Sequence, residues 1–132
     1  MSQMGENEFG TVVSESAIEV HRRLGNGLLE SVYEAALGIE FSERGLRYQS
    51  QVPIEVFYRG RSLDQGFRAD MIIEDLVILE LKSVESVSPV HKKQIHTYLN
   101  LSGLRLGYLL NFGSHLMRKG IVRCVNGLPE SN

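Results

Sequence analysis

Apolar positions recur along this chain with two different periods, and the period changes where turn-forming residues fall. From Val12 to Leu24 the spacing is helical, with Ala17, Val20 or His21, and Leu24 on one face. Ser16-Ala17-Ile18-Glu19 fits a capping box, although the helix can begin earlier, and Gly25-Asn26-Gly27 ends it. A second helix is expected from Leu29 to Arg44, with Leu29, Val32, Tyr33, Ala36 and Leu37 on its apolar face and Gly45 as its stop. Between Gln51 and Tyr58 the period drops to two, so Val52, Ile54, Val56 and Tyr58 share one side of a half-buried strand. Arg59-Gly60-Arg61 turns the chain, and a short Ser62-Leu63 segment leads on through Asp64-Gln65-Gly66.

Two short runs follow, Phe67 to Ile73 and Leu76 to Lys82, rich in β-branched residues and divided by Glu74-Asp75, which read as adjacent strands of a hairpin. The second run is apolar without alternation, as a strand covered on both faces should be. Ser88 and Pro89 then open a third helix as N-cap and first residue, and Gly103 stops it after Ser102. Leu106 to Phe112 is a buried strand that returns parallel to its neighbour through a right-handed crossover, and Ile121 to Val125 is a last, weaker strand. This order predicts an α/β sandwich with a central mixed β-sheet flanked by helices. Residues 1–10, polar and Gly-containing, are expected to form a flexible leader, 11–126 a single domain and 127–132 a mobile tail.

Charges inside the covered hairpin are the main chemical signal. Glu80 and Lys82, two residues apart on one strand, share a face about 6.5 Å from each other. Asp70 joins them only if the turn holds an odd number of residues, such as Glu74-Asp75-Leu76, which sets Asp70 opposite Glu80; a two-residue turn puts it on the wrong face. Buried carboxylates need a neutralising partner, and a hard divalent cation such as Mg²⁺, taking oxygen ligands, is a natural one. Lys82 would then offset charge developing on a phosphate. Against this, acidic and basic residues are common where strands leave a core, and Asp-x9-Glu-x-Lys alone is a weak pattern. Glu30, at the edge of the second helix's apolar face, could reach the sheet as another ligand, or could be a first-turn glutamate favoured by the helix dipole. His91-Lys92-Lys93 places positive charge in the first turns of the third helix, either to meet an anion or as a solvated basic turn.

Composition narrows the class. The chain has 132 residues, 42% hydrophobic and 23% charged, with net charge −2, the profile of a single soluble globular domain. Bulk charge does not announce a nucleic-acid binder, so any polyanion contact must come from local patches. The single Cys124 cannot form an internal disulfide, which suits a reducing cytoplasm and offers no thiolate metal site. No apolar run approaches about 18 residues, so neither signal peptide nor membrane span is expected.

With Gly27-Leu28-Leu29-Glu30-Ser31-Val32-Tyr33 in view, the chain resembles the GxxExxY protein family of the PD-(D/E)XK nuclease-like superfamily. The likeness extends from about Ile18 to Val125 and includes Val20-His21-Arg22-Arg23-Leu24-Gly25, Arg68-Ala69-Asp70, Glu80-Leu81-Lys82, Gln94 with Tyr98-Leu99, and Gly107 to Phe112. It implies a restriction-endonuclease-like fold. It also implies that Asp70 and Glu80 hold Mg²⁺ or Mn²⁺, that Glu30 completes the metal shell, that Lys82 is the catalytic lysine, and that Gln94 lies beside the site. Ala69 stands where the superfamily name has proline, a departure with no evident chemical consequence.

The function so implied is a Mg²⁺- or Mn²⁺-dependent nuclease hydrolysing phosphodiester bonds of nucleic acid, DNA ahead of RNA, with basic residues near the third helix and at Arg118-Lys119 holding the backbone. A homodimer or protein partner would supply the missing basic surface. The alternative is a catalytically silent nuclease-fold module that binds nucleic acid or protein.

Overall fold

A computed structural model describes residues 4–129 of the chain. It begins with helix α1, Glu6–Leu24. Glu8 accepts a hydrogen bond from the Gly5 amide at 2.6 Å, and acidic residues in the first turn with His21, Arg22 and Arg23 in the last complement the helix dipole. Phe9, Val13, Ala17 and Val20 form its buried stripe. The expected leader over 1–10 is thereby corrected: from Glu6 onward this stretch is helix, and Phe9 and Gly10 are buried, because Phe9 continues the helical spacing of Val13. Residues 1–3 lie outside the described residues. Ser16 is no cap; its hydroxyl donates to the Val12 carbonyl at 2.7 Å inside the helix, and Leu24 is exposed.

Helix α2, Glu30–Glu43, buries Tyr33, Leu37, Gly38 and Phe41. The expected face was turned too far: Leu29 and Val32 point to solvent. Glu40, within the apolar arc, is paired with Arg44 at 3.3 Å.

Five strands follow, β1 Tyr48–Tyr58, β2 Arg61–Ile73, β3 Val77–Lys82, β4 Leu106–Asn111 and β5 Ile121–Val125, and they lie side by side in chain order. Only β3 and β4 are parallel, joined by helix α3, Pro89–Ser102. Ser62 and Leu63 belong to β2, which runs from Arg61, and the expected break before the hairpin survives as a bulge: Leu63 and Asp64 have no partner on β1, and Asp64 holds φ 52°. β2 meets β3 only over Met71–Ile73, whereas it pairs with β1 almost to the hairpin tip, so residues 53–66 form a two-stranded ribbon.

Helices α1 and α2 cover one face of the sheet, burying Met71, Ile73, Leu79, Leu81, Leu110 and Phe112. On the other face α3 lays Ile95, Tyr98 and Leu99 against Ala69, Ile72 and Ile78. Gly107 permits this approach, because a Cβ there would stand 3.1 Å from Cδ1 of Ile95. At the C-terminus, Leu128 of the expected tail packs on the core, and residues 130–132 lie outside the described residues.

Candidate active site

The hairpin turn decides where the carboxylates fall. Ile73 pairs with Val77, Ile72 with Ile78 and Met71 with Leu79, leaving a three-residue turn and bringing Asp70 across from Glu80. Glu74 and Asp75 hold positive φ angles of 52° and 58° in that turn. Glu74 is kept there by Arg47, whose amide and guanidinium donate to its carboxylate at 2.6 and 3.1 Å.

At Asp70 the ladder opens. Gln51, across from it on β1, has φ 53°, and neither neighbour strand pairs regularly with Asp70. The side chain takes over: Oδ2 of Asp70 accepts the Leu81 amide at 2.8 Å, and the Asp70 amide faces Oε1 of Glu80 at 3.4 Å. Glu80 is only 6% exposed. Burial, followed by the negative charge of Asp70, pushes its carboxyl up to about 8, while the Asp70 amide and then the ammonium of Lys82 pull the other way. The Tyr98 phenol on α3 is also pushed up, first by burial and then by Glu80 and Asp70. Tyr98 is stacked on Phe67 with ring centroids 3.7 Å apart, which walls the carboxylates on their apolar side.

Lys82 is positioned through its backbone. Its carbonyl accepts the Phe112 amide at 2.8 Å, and the next residue, Ser83, donates its hydroxyl to the Leu28 carbonyl at 2.7 Å. Buried Asn111 clamps the following residue, accepting the Val84 amide and donating to the Val84 carbonyl, both at 3.0 Å, while also accepting the Gly113 amide. The Gly27 to Tyr33 stretch is an elbow for the same end of the sheet. Gly25 and Gly27 have φ 72° and 96°, conformations that favour glycine. The Tyr33 hydroxyl closes the elbow by donating to Gly25 at 2.6 Å and accepting from Leu28 at 3.2 Å. Its ring lies on Phe112 at 4.3 Å, and Nε2 of His21 bonds the Ser114 carbonyl at 2.8 Å.

Thus Asp70 and Glu80 are brought together, with Lys82 on their strand face. Glu30 and Gln94 are exposed, on the first turn of α2 and one turn before Tyr98 on α3. Among the described residues no three His, Cys, Asp or Glu side chains gather to close around an ion, so Glu30 does not complete such a group. One acidic residue was missed. Glu34 is half-buried, accepts Nε2 of Gln51 at 2.8 Å, and has its carboxyl pushed up by burial and then by the charge of Asp70. Its signal was available: it lies four residues after Glu30, hence one turn further along the same side of the helix.

A family model described as the PD-(D/E)XK nuclease superfamily matches residues 7–124. The chain belongs to that superfamily. No curated protein and no solved structure matches it. PD-(D/E)XK nucleases generally use divalent metal ions, and the Asp70–Glu80 pair fits one: two adjacent carboxyl groups, one of them deeply buried, are held without a positive charge between them. One or two carboxylates suffice for Mg²⁺, whose remaining ligands are usually waters and phosphate oxygens. Among the described residues no helix is long and apolar enough to cross a membrane.

Proposed function

We propose that this chain, in the manner of the GxxExxY proteins it resembles, is a Mg²⁺- or Mn²⁺-dependent nuclease acting on nucleic acid, with DNA placed before RNA. The observation that carries the reading is the adjacent pair of half-buried Asp70 and buried Glu80, where β2 parts from β3, in a chain of the PD-(D/E)XK superfamily. A divalent ion held by both carboxylates would supply the positive charge that activates water and polarises the scissile phosphate.

The chain's own groups do the positioning. Asp70 is fixed by the Leu81 amide before substrate arrives, and Glu80 by burial. Lys82 offsets the negative charge that grows on the phosphate oxygens. Glu34 feels Asp70 and supports it from α2, while Glu30 and Gln94 act at the rim, on substrate or its waters. Exposed Lys92, Lys93, Arg118 and Lys119 hold the backbone, with a homodimer or protein partner adding positive surface to a chain of net charge −2.

The test is cleavage of end-labelled single-stranded, double-stranded and branched DNA and RNA with Mg²⁺ or Mn²⁺. Asp70→Ala and Lys82→Ala should each cut at least about 100-fold more slowly than wild type. Cleavage that survives both substitutions defeats the proposal. The alternative is a catalytically silent nuclease-fold module. That reading expects nucleic acid or protein to be bound with no turnover in any metal.

A further inference from the structure

The ribbon of β1 and β2 has a different character from the sheet it grows out of. Its inner half is anchored: Val52, Ile54 and Phe67 pack under α3, and Phe67 stacks on Tyr98 beside the carboxylates. The outer half carries large apolar side chains with nothing over them, Phe57 at 59% exposure, Tyr58 at 66% and Leu63 at 48%. Arg59 and Arg61 sit between them at the tip, both exposed and without a carboxylate partner among the described residues. Arg68 lies further in, donating to the Gln51 carbonyl at 3.0 Å. Over residues 53–66 Arg59 and Arg61 balance Glu55 and Asp64, and both positive charges are gathered at the tip.

We propose that this ribbon is an arm that grips unpaired bases of a nucleic-acid strand on its way to the site. Phe57 and Tyr58, on opposite faces of the ribbon, each stack on a base as the strand passes around the tip, and Arg59 and Arg61 hold the adjoining phosphates. The inference rests on the nuclease reading only for taking nucleic acid as the ligand. Aromatic faces beside cations are the chemistry of single-strand binding, because every base offers a π-face but shows it fully only when unpaired. The path leads along one strand: β2 runs from Arg61 to Asp70 through a bulge at Asp64, where φ is 52°, at most roughly 30 Å at about 3.3 Å per residue, or on the order of nine stacked nucleotides at 3.4 Å each. A second copy of the chain pairing along the outer edge of β1 is the weaker occupant. Pro53 has no amide to donate there, and Gln51, with φ 53°, breaks the extended edge.

The test is fluorescence anisotropy in EDTA, which separates binding from cleavage, with labelled 20-nucleotide single strands and a blunt duplex of the same sequence. Wild type should prefer the single strand. Phe57→Ala and Tyr58→Ala should each weaken that binding by about tenfold or more without changing the melting temperature, and Tyr58→Trp should retain it. Arg59→Ala with Arg61→Ala should flatten the slope of log K against log salt by about 1.4. Single strands shorter than about eight nucleotides should lose the aromatic contribution. Unchanged affinity in the aromatic variants, equal affinity for blunt duplex, or a wild-type dimer that these substitutions dissociate would each overturn the arm. Wild-type cleavage combined with arm-independent binding sinks the arm and spares the nuclease, whereas arm-dependent binding without cleavage in any metal does the reverse.

Discussion

Two buried polar clusters lie side by side where β3 and β4 end, and they differ in what they lack. Asn111, paired with Lys82 across the parallel ladder, is 1% exposed and makes three hydrogen bonds to the Val84 and Gly113 backbone. Its donors and acceptors are matched within the chain, so it holds a loop and needs nothing further. Glu80, on the neighbouring strand β3, and Asp70, one strand further on β2, are like-charged groups whose shared environment favours a proton on Glu80. The first cluster is complete as folded. The second is complete only with a proton or a cation, and that difference is why the proposed function is placed there.

Removing the frustrated member tests this contrast most strongly. The folded value of about 8 for Glu80 exceeds the ordinary 4.5, so between those values the folded chain keeps a proton that the unfolded chain releases. Metal-free stability should therefore decline as pH rises above about 4.5 and level off beyond about 8. Glu80→Gln should abolish that decline and raise stability at pH 8 by up to about 4 kcal/mol, read from urea melts across pH. A flat profile in wild type would refute the frustration. Asn111→Ala should do the opposite, costing about 3 kcal/mol, or about 10 °C in Tm, at every pH, because three bonds are lost and a buried amide is orphaned. Mn²⁺ at pH 8 should raise the Tm of wild type by several degrees at saturating concentration and leave Asp70→Asn with little response. The smallest effect belongs to the elbow: Tyr33→Phe keeps the stack on Phe112 but loses its hydroxyl bonds, and should lower stability by about 1 kcal/mol with no pH dependence.

Much of the fold was legible because its signals are local. The β-branched runs around Glu74-Asp75, the Ser88-Pro89 start and the Gly103 stop each act within a few residues, and the structure has them where the pattern put them. Errors came where long-range burial overruled a local cue. Phe9 belongs to α1 because it finds the core, and Ser16 lost its capping role because the helix had already begun. Leu29 and Val32 fitted the same apolar face as Tyr33 and Leu37, yet they stand exposed, and the buried stripe is completed by Gly38 and Phe41.

The chain's own pattern determined the hairpin and the condition that only an odd turn sets Asp70 across from Glu80, since strand alternation is a rule of covalent geometry, whereas the three-residue turn that meets the condition is seen only in the structure. Tertiary structure alone decided that Glu34 feels Asp70 while Glu30 stands in solvent, and that Asn111 fixes the loop after Lys82. Those outcomes depend on how helices are rotated and docked against the sheet, which is set by the summed packing of residues far apart in sequence rather than by any one spacing.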